Sequence, residues 1–425
     1  MDKKIYDNHL SILRSELTVA LGCTEPIAIA YAAAVARKYL GCEPSHCVVH
    51  CSGNIVKNVK GVFVPNSGGL RGINVAAILG VIGANPELEL ACLEAITDEH
   101  RARVKELIKT DFCECKLIEN VANLYIVVEL EGEGHSSLVE IQDTHKNITR
   151  VIRDGETLVS KTGEEAEALE AHGDKSLLSV RNILEFADAV KLADAAPIIT
   201  PQIELNMAIC REGLEHPYGA EVGRILLGDH PHPTVGLKAR AHAAAGSDAR
   251  MSGCPLPVVI NSGSGNQGIT VSVPVVIYAQ DCNADREKLI RSLVVANLIS
   301  VHQKKYIGSL SAYCGVISAA CGAACGICYM YGYSYEVIAA TITNTIATIG
   351  GMVCDGAKSS CAAKIATALQ TALLGMKMAV HSSTFQPGEG LVEDDVEMTI
   401  SNIGRMGRVG MKETDTEILN IMLGN

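Results

Sequence analysis

Tyr306 to Cys361 reads YIGSLSAYCGVISAACGAACGICYMYGYSYEVIAATITNTIATIGGMVCDGAKSSC, and this stretch decides what kind of fold the rest of the chain builds. Thirty consecutive residues, Tyr306 to Tyr335, carry no charge, and after Glu336 another eighteen run uncharged to Cys354. Six of the sixteen cysteines fall inside it. Ala, Gly, Ser, Thr and Cys dominate rather than Leu and Phe, so the stretch is only mildly hydrophobic and a membrane span is the weaker reading. The expected structure is a helix pair buried on all sides, carrying thiols into the middle of a soluble protein.

Outside it, 425 residues suffice for two or three domains with a sizeable core. An apolar share of 48% excludes general disorder. Trp is absent and aromatics are only 4%, so the core must be packed from aliphatics, Ala and Cys. A formal charge of -12 argues against nucleic acid, which needs a basic surface, and points to a small-molecule partner. The N-terminal MDKKIYDNHL lacks the apolar core of a signal peptide, so a cytoplasmic location is expected. Thiols there stay reduced and serve as core, metal ligands or catalytic groups rather than disulfides. Most of the sixteen should be packing.

Residues 8–20 and 25–39 read as helices joined by Leu21-Gly22-Cys23-Thr24-Glu25-Pro26, with Thr24 as N-cap and Pro26 in the first turn. Cys23 then stands at a helix N-terminus, which favours a thiolate, while Glu25 opposes it. A strand over His46–Ser52, the loop Pro65-Asn66-Ser67-Gly68-Gly69, and helices from Ile73 and over Glu87–Lys109 follow. β-rich runs at Cys113–Glu119, Leu124–Glu131, Ser137–Asp143 and Ile148–Arg153 have connections so short that antiparallel pairing is expected. Polar sequence between Asp154 and Lys175 marks a domain boundary. The expected fold is α+β: an N-terminal domain over residues 1–170 with an antiparallel sheet, then a mostly helical domain over 171–425.

Several motifs invite a cofactor. Gly263-Ser-Gly265-Asn-Gln-Gly268 fits the dinucleotide fingerprint, but Ile269-Thr-Val-Ser-Val-Pro274 is β-branched and ends in proline where a helix is needed, so NAD is not expected. The loop better suits a small anion such as a carboxylate, met by backbone amides and by Asn261, Ser262, Ser264, Asn266 and Gln267, or else it is a plain tight turn. Gly351–Ser359 is one residue too long for a phosphate loop. Cys321-x3-Cys325-x2-Cys328 has the spacing of radical S-adenosylmethionine enzymes, yet with Cys314 it forms one helical stripe, which is more often core. Cys354 and Cys361 flank a turn with two charges and two hydroxyls in apolar surroundings. With one thiol from the preceding helix they would hold an iron-sulfur cluster by three irons. His230-Pro-His232 reads as a surface turn. Arg250, in Asp248-Ala-Arg250-Met-Ser-Gly253, is either salt-bridged structure or a carboxylate binder.

Taken together, Gly22-Cys23-Thr24-Glu25-Pro26, Pro65 to Gly69, Ser247 to Met251, Asn261 to Gly268, Ser311-Ala312-Tyr313-Cys314-Gly315 and Cys354 to Lys358 resemble the L-cysteine desulfidase family, relatives of the iron-sulfur L-serine dehydratase catalytic chain. The resemblance spans nearly the whole chain. It implies a lyase that converts L-cysteine and water to pyruvate, ammonia and hydrogen sulfide on a 4Fe-4S cluster, without pyridoxal phosphate. It further implies Cys314, Cys354 and Cys361 as cluster ligands, and Cys23, flanked by Thr24 and Glu25, as proton acceptor. Asn66, Ser67, Arg250, Asn261, Ser264, Asn266 and Gln267 are implied substrate-binding residues, and Cys321, Cys325 and Cys328 become packing. Serine dehydratases carry a Ser-Ser-His-Thr type motif where this chain has Gly-Cys-Thr-Glu, which favours the desulfidase side.

Three readings stay open on the sequence: this lyase, with L-serine as the alternative substrate; a non-catalytic cysteine or redox sensor using the same pocket; and thiols that are plain core. Oligomeric state is open too, a homo-oligomer being compatible with all three.

Overall fold

The computed structural model describes residues 1–161, 173–228, 230–308 and 310–424. Asp2 caps α1 (Lys3–Glu16) by accepting the Lys4 amide. The helix stops there, short of the expected residue 20, because Val19–Leu21 forms strand β1. Its partner, β8 (Pro257–Val259), lies far along the chain, so local periodicity could not announce it. Helix α2 (Thr24–Leu40) is buried along nearly its whole length, as its Ala- and Ile-rich sequence demands, and ends at Gly41 in the left-handed region. Strand β2 (His46–Ser52), α3 (Gly53–Val59) and α4 (Ile73–Gly83) follow. The expected helix over 87–109 is split: a 3-10 segment at Pro86–Ala91, then α5 (Asp98–Leu107), started by a Thr97 capping box.

Five strands come next: β3 (Cys113–Ile118), β4 (Tyr125–Gly132), β5 (His135–Gln142), β6 (Ile148–Arg153) and β7 (Glu156–Ser160). The sheet order is β3-β2-β4-β5-β6-β7. It is mixed, not antiparallel throughout: β2 inserts between β3 and β4 and pairs parallel with β3, Cys47 opposite Cys113. The short β3–β4 connection therefore does not join paired strands. Strand β7 occupies the start of the polar stretch read as a boundary, while residues 162–172, which include the expected division at 170, lie outside the described residues.

The remainder is mostly helical, as expected: α6 (Val180–Ala189), α7 (Leu192–Glu215), α8 (Val222–Gly228), α9 (Val235–Met251), α10 (Gly265–Asp281), α11 (Arg286–Ile307), α12 (Val316–Met330), α13 (Tyr335–Ile349), α14 (Ser360–Val380), α15 (Val396–Arg405) and α16 (Lys412–Leu423). Helix α10 overturns the β-like reading of Ile269–Pro274. Every residue from Gly265 to Ala279 is buried, and that packing outweighs the weak helix propensity of Val, Ile and Thr. The Thr270 and Ser272 hydroxyls return to carbonyls four residues back at 2.6 and 2.7 Å, so the buried hydroxyls are satisfied within the helix. A helix thus follows the glycine loop after all, but the strand before it belongs to a two-stranded antiparallel sheet, unlike a dinucleotide fold. The thiol-rich stretch does form a helix pair, α12 and α13, but only α12, also packed on α10, α11 and α14, is buried almost all round, whereas α13 leaves Glu336, Ala347 and Thr348 exposed. Among the described residues no helix is long and apolar enough to cross a membrane.

Candidate active site

The thiols are placed by backbone geometry. Tyr313 and Val353 form an antiparallel bridge, closed by Cys314 N to Met352 O at 2.9 Å and Cys354 N to Ala312 O at 2.6 Å. Alternation puts Cys314 and Cys354 on one face of that bridge as diagonal neighbours, and their thiols share a hydrogen bond. The bond and burial push Cys314 up. The same bond, with the Lys57 and Lys364 ammoniums, holds Cys354 below the usual thiol range despite burial. Cys361 sits in the first turn of α14, its Sγ 3.8 Å from Gly356 O, and burial raises it. Gly356, at φ +96°, lies where a Cβ would stand 2.4 Å from Lys57 O, so this loop fits against α3 only as glycine.

These thiols face a cavity of about 1100 Å³. Four helix N-termini converge on it: α2 through Cys23, α10 through Ser264, Asn266 and Gln267, α12 through Cys314 and Gly315, and α14 through Cys361. Each end carries partial positive charge, so together they favour an anion. Gly315 lets the Gln267 carboxamide in beside Cys314, since a Cβ there would stand 2.6 Å from Gln267 Cδ. Lys304 is also buried here. Burial brings its ammonium down to about 8, opposed by the nearby Cys354 and Cys314.

The lining holds five side chains more than nine-tenths buried that each leave a polar atom unpartnered: Asn58 Oδ1, His145 Nε2, Arg250 Nε, Asn266 Oδ1 and Gln267 Oε1. Native interiors rarely tolerate this, and their concentration in one cavity marks a polar ligand site. Arg250 donates from Nη2 to Gly22 O at 2.8 Å and makes no salt bridge with Asp248, which accepts from Ala220 N instead. Glu25 also lines the cavity, held by Asn58 Nδ2 at 3.1 Å and standing 3.1 Å from Thr24 Oγ1.

Not every expected residue arrives. Cys23, rather than Thr24, is the N-cap of α2. Burial pushes its thiol up to about 12, against the pull of Arg250, so the N-terminal field does not win and the free protein holds Cys23 protonated. Thr24 Oγ1 lies 3.0 Å from Gly263 O and ties the two turns together. Asn261 does not line the cavity. Its amide is consumed by Asn297, Ser262 and Ser300 in a buried network that anchors the glycine loop to α11. Asn66 and Ser67 line a separate cleft of about 600 Å³. Asn66 Nδ2 donates to Leu93 O at 2.9 Å, and Ser67 Oγ to Leu70 O at 3.0 Å. Cys321, Cys325 and Cys328 are fully buried packing within α12, and Cys314 leaves their stripe because the helix begins after Gly315. His230 and His232 are exposed. Asn58, His145, Lys304 and Tyr313 also line the cavity; the first three stand in no sequence motif that would single them out, and Tyr313 stands in the motif that presents Cys314.

Among the described residues no three His, Cys, Asp or Glu side chains form a ready group that would hold a metal ion. The three thiols are an open set facing a common space.

A family model for the serine dehydratase alpha chain matches residues 87–420. The chain belongs to the serine dehydratase alpha-chain family. Curated relatives extend the likeness to the N-terminal turn. A UPF0597 protein of Desulfitobacterium hafniense is 46% identical over 420 residues, 99% of this chain and 97% of that protein. Another, of Lachnoclostridium phytofermentans, is 46% identical over 419 residues, 99% of this chain and 100% of its own. A third, of Treponema denticola, is 44% identical over 427 residues, 100% of this chain and 99% of that one. Membership in the serine dehydratase alpha-chain family points to a lyase of amino-acid breakdown, and the matched region contains Arg250, the glycine loop and all three facing thiols, while Cys23 precedes it.

Proposed function

We propose that this family member is an L-cysteine desulfidase, releasing pyruvate, ammonia and hydrogen sulfide, with a 4Fe-4S cluster held by Cys314, Cys354 and Cys361. The observation that carries it is the meeting of these three thiols with a buried Arg250, engaged by no salt bridge among the described residues, in one cavity beneath four helix N-termini. The donor set fits the group. Three separate thiols, one already drawn toward thiolate, suit a multi-iron cluster spanning them better than a single ion clasped between them. Lys57, Lys304 and Lys364 lie close enough to offset its negative charge. The cavity exceeds what a small amino acid fills and leaves room for both.

When bound, the cluster supplies an iron with no protein ligand, a Lewis acid for the group leaving the β-carbon. The chain's own residues do the rest. Arg250 and the first-turn amides of α10 receive the substrate carboxylate. Asn266 and Gln267 present their unpartnered carbonyl oxygens to its ammonium. Assignment to cysteine rather than serine rests on Gly22-Cys23-Thr24-Glu25, where serine dehydratases carry a Ser-Ser-His-Thr type motif.

The test is iron and sulfide content of anaerobically reconstituted protein, together with pyruvate release from L-cysteine against L-serine. Bound iron and faster pyruvate release from cysteine are expected. Faster turnover of serine would make the protein an ammonia-lyase on the same scaffold, and cysteine binding without pyruvate would make it a sensor. The reading fails if the protein takes up no iron, or if Cys354→Ala leaves sulfide release intact.

A further inference from the structure

The lyase reaction needs a group that removes the substrate α-proton, and an imidazole with an unpartnered ring nitrogen in the cavity wall is suited to it. Resting on the proposed function, we infer that His145, not Cys23, is the base that takes this proton. His145 lies in the β5–β6 connection, a segment fixed by Asp143 N to Leu124 O at 3.0 Å, Asn147 N to Thr144 O at 3.2 Å and Asn147 Nδ2 to Gln142 O at 3.1 Å. Its ring rests on the glycine loop, with Cε1 3.4 Å from where a Cβ on Gly263 would stand. The side chain is 8% exposed, lines the cavity, and leaves Nε2 without a partner.

Two charged groups act on it, Glu25 from α2 and Arg250 from α9. Burial lowers its pKa, Arg250 lowers it further and Glu25 opposes them, so near neutral pH the imidazole is the free base. The carboxylate site at Arg250 and the imidazole therefore face one space, as a base beside a bound amino acid must.

The step balances without an oxidant. The Cα–H bond breaks and its proton goes to His145. The electron pair left behind forms Cα=Cβ, and the Cβ–S pair leaves with sulfur as hydrosulfide. The imidazolium then returns its proton to solvent or to the released sulfide. Aminoacrylate tautomerises and is hydrolysed by water to pyruvate and ammonia.

The experiment compares full-length, iron-loaded wild type, His145→Gln, His145→Asn and Cys23→Ser. Three readouts are taken: pyruvate from L-cysteine, exchange of the substrate α-hydrogen in deuterated water, and L-cysteine binding by calorimetry. Both His145 variants are expected to lose roughly 10²–10⁴-fold in exchange and turnover, the usual share of a general base, while binding and iron content hold. Added imidazole should restore part of the exchange in the variants, which separates a missing base from a damaged fold. The inference is overturned if the His145 variants exchange like wild type, if imidazole restores nothing, or if Cys23→Ser alone abolishes exchange. Wild type that carries iron yet yields no pyruvate from cysteine or serine overturns the lyase reading, and the role of His145 with it.

Discussion

Arg250 shows what one side chain is asked to do. It is 3% exposed, makes no salt bridge among the described residues and leaves Nε unpartnered, an arrangement that is costly unless an anion joins it. Arg250→Gln should therefore weaken L-cysteine binding by calorimetry about 10- to 100-fold, the equivalent of the roughly 1.5–3 kcal/mol of a charge-assisted hydrogen bond. Arg250→Lys keeps the charge but not the planar fork and should fall between. Unchanged affinity in both would remove Arg250 from the site. Arg250 was legible in the sequence because it stands in an ordered motif, as do Cys314 and Cys354, while Cys361 closes the polar turn that Cys354 opens. His145 and Asn58 belong to no motif, and their interest comes from being buried with an atom left over, which arises only when distant elements pack. Asn261 errs the other way: its loop has the look of a binding element, yet its own amide is spent on Asn297, Ser262 and Ser300.

At the level of elements, helix type was legible even in the nearly wholly buried α2 and α12, whose Ala-rich sequences favour a helix, and failed at α10, where total burial coincides with a β-branched run. A segment enclosed on all sides has no face to reveal, so the β-branched run in α10 reads like a strand until its neighbours are known. Strand β3 fails for a related reason, because its partner β2 comes from earlier in the chain rather than from the next hairpin. Packing between helices also sets a pH response. His9 of α1 is fully buried with its ring 5.3 Å from that of Phe186 in α6. Burial lowers its pKa from 6.5 to about 4. Between those values the unfolded chain binds a proton that the folded chain refuses, so stability falls as pH drops through the window and levels off below it. The loss approaches about 3 kcal/mol at the foot of the window. His302 shifts in the same direction, so the His9 share must be read by difference. Urea denaturation of His9→Leu and wild type at pH 7 and at pH 4.5 checks it: the variant should lose less stability on acidification, and equal losses would refute the assignment.

The whole molecule joins a sheet-bearing part to a mostly helical part, and residues of both line the cavity. Cys314 precedes α12, Cys354 lies in the loop after α13, Cys361 begins α14, and Cys23 enters from the first half. The β1–β8 pairing and the Thr24–Gly263 hydrogen bond bring the halves together. Lys57 of α3 adds a buried ion pair to Asp415 of α16, so the C-terminal helix closes over the element that supports the cysteine loop. A cluster taken up by three thiols from separate elements must then stabilise more than its own loop, because ligand binding to the folded chain alone raises the cost of unfolding. Anaerobically loaded protein should melt at a higher temperature than the same protein stripped by chelator. Hydrogen exchange should slow on loading over residues 20–26, 261–268 and 354–361 together, since these segments share one cavity wall. Cys354→Ala should remove both effects while leaving the stripped protein folded. If loading protected only 354–361, the halves would be independent around the cavity and the site would belong to the helical half alone.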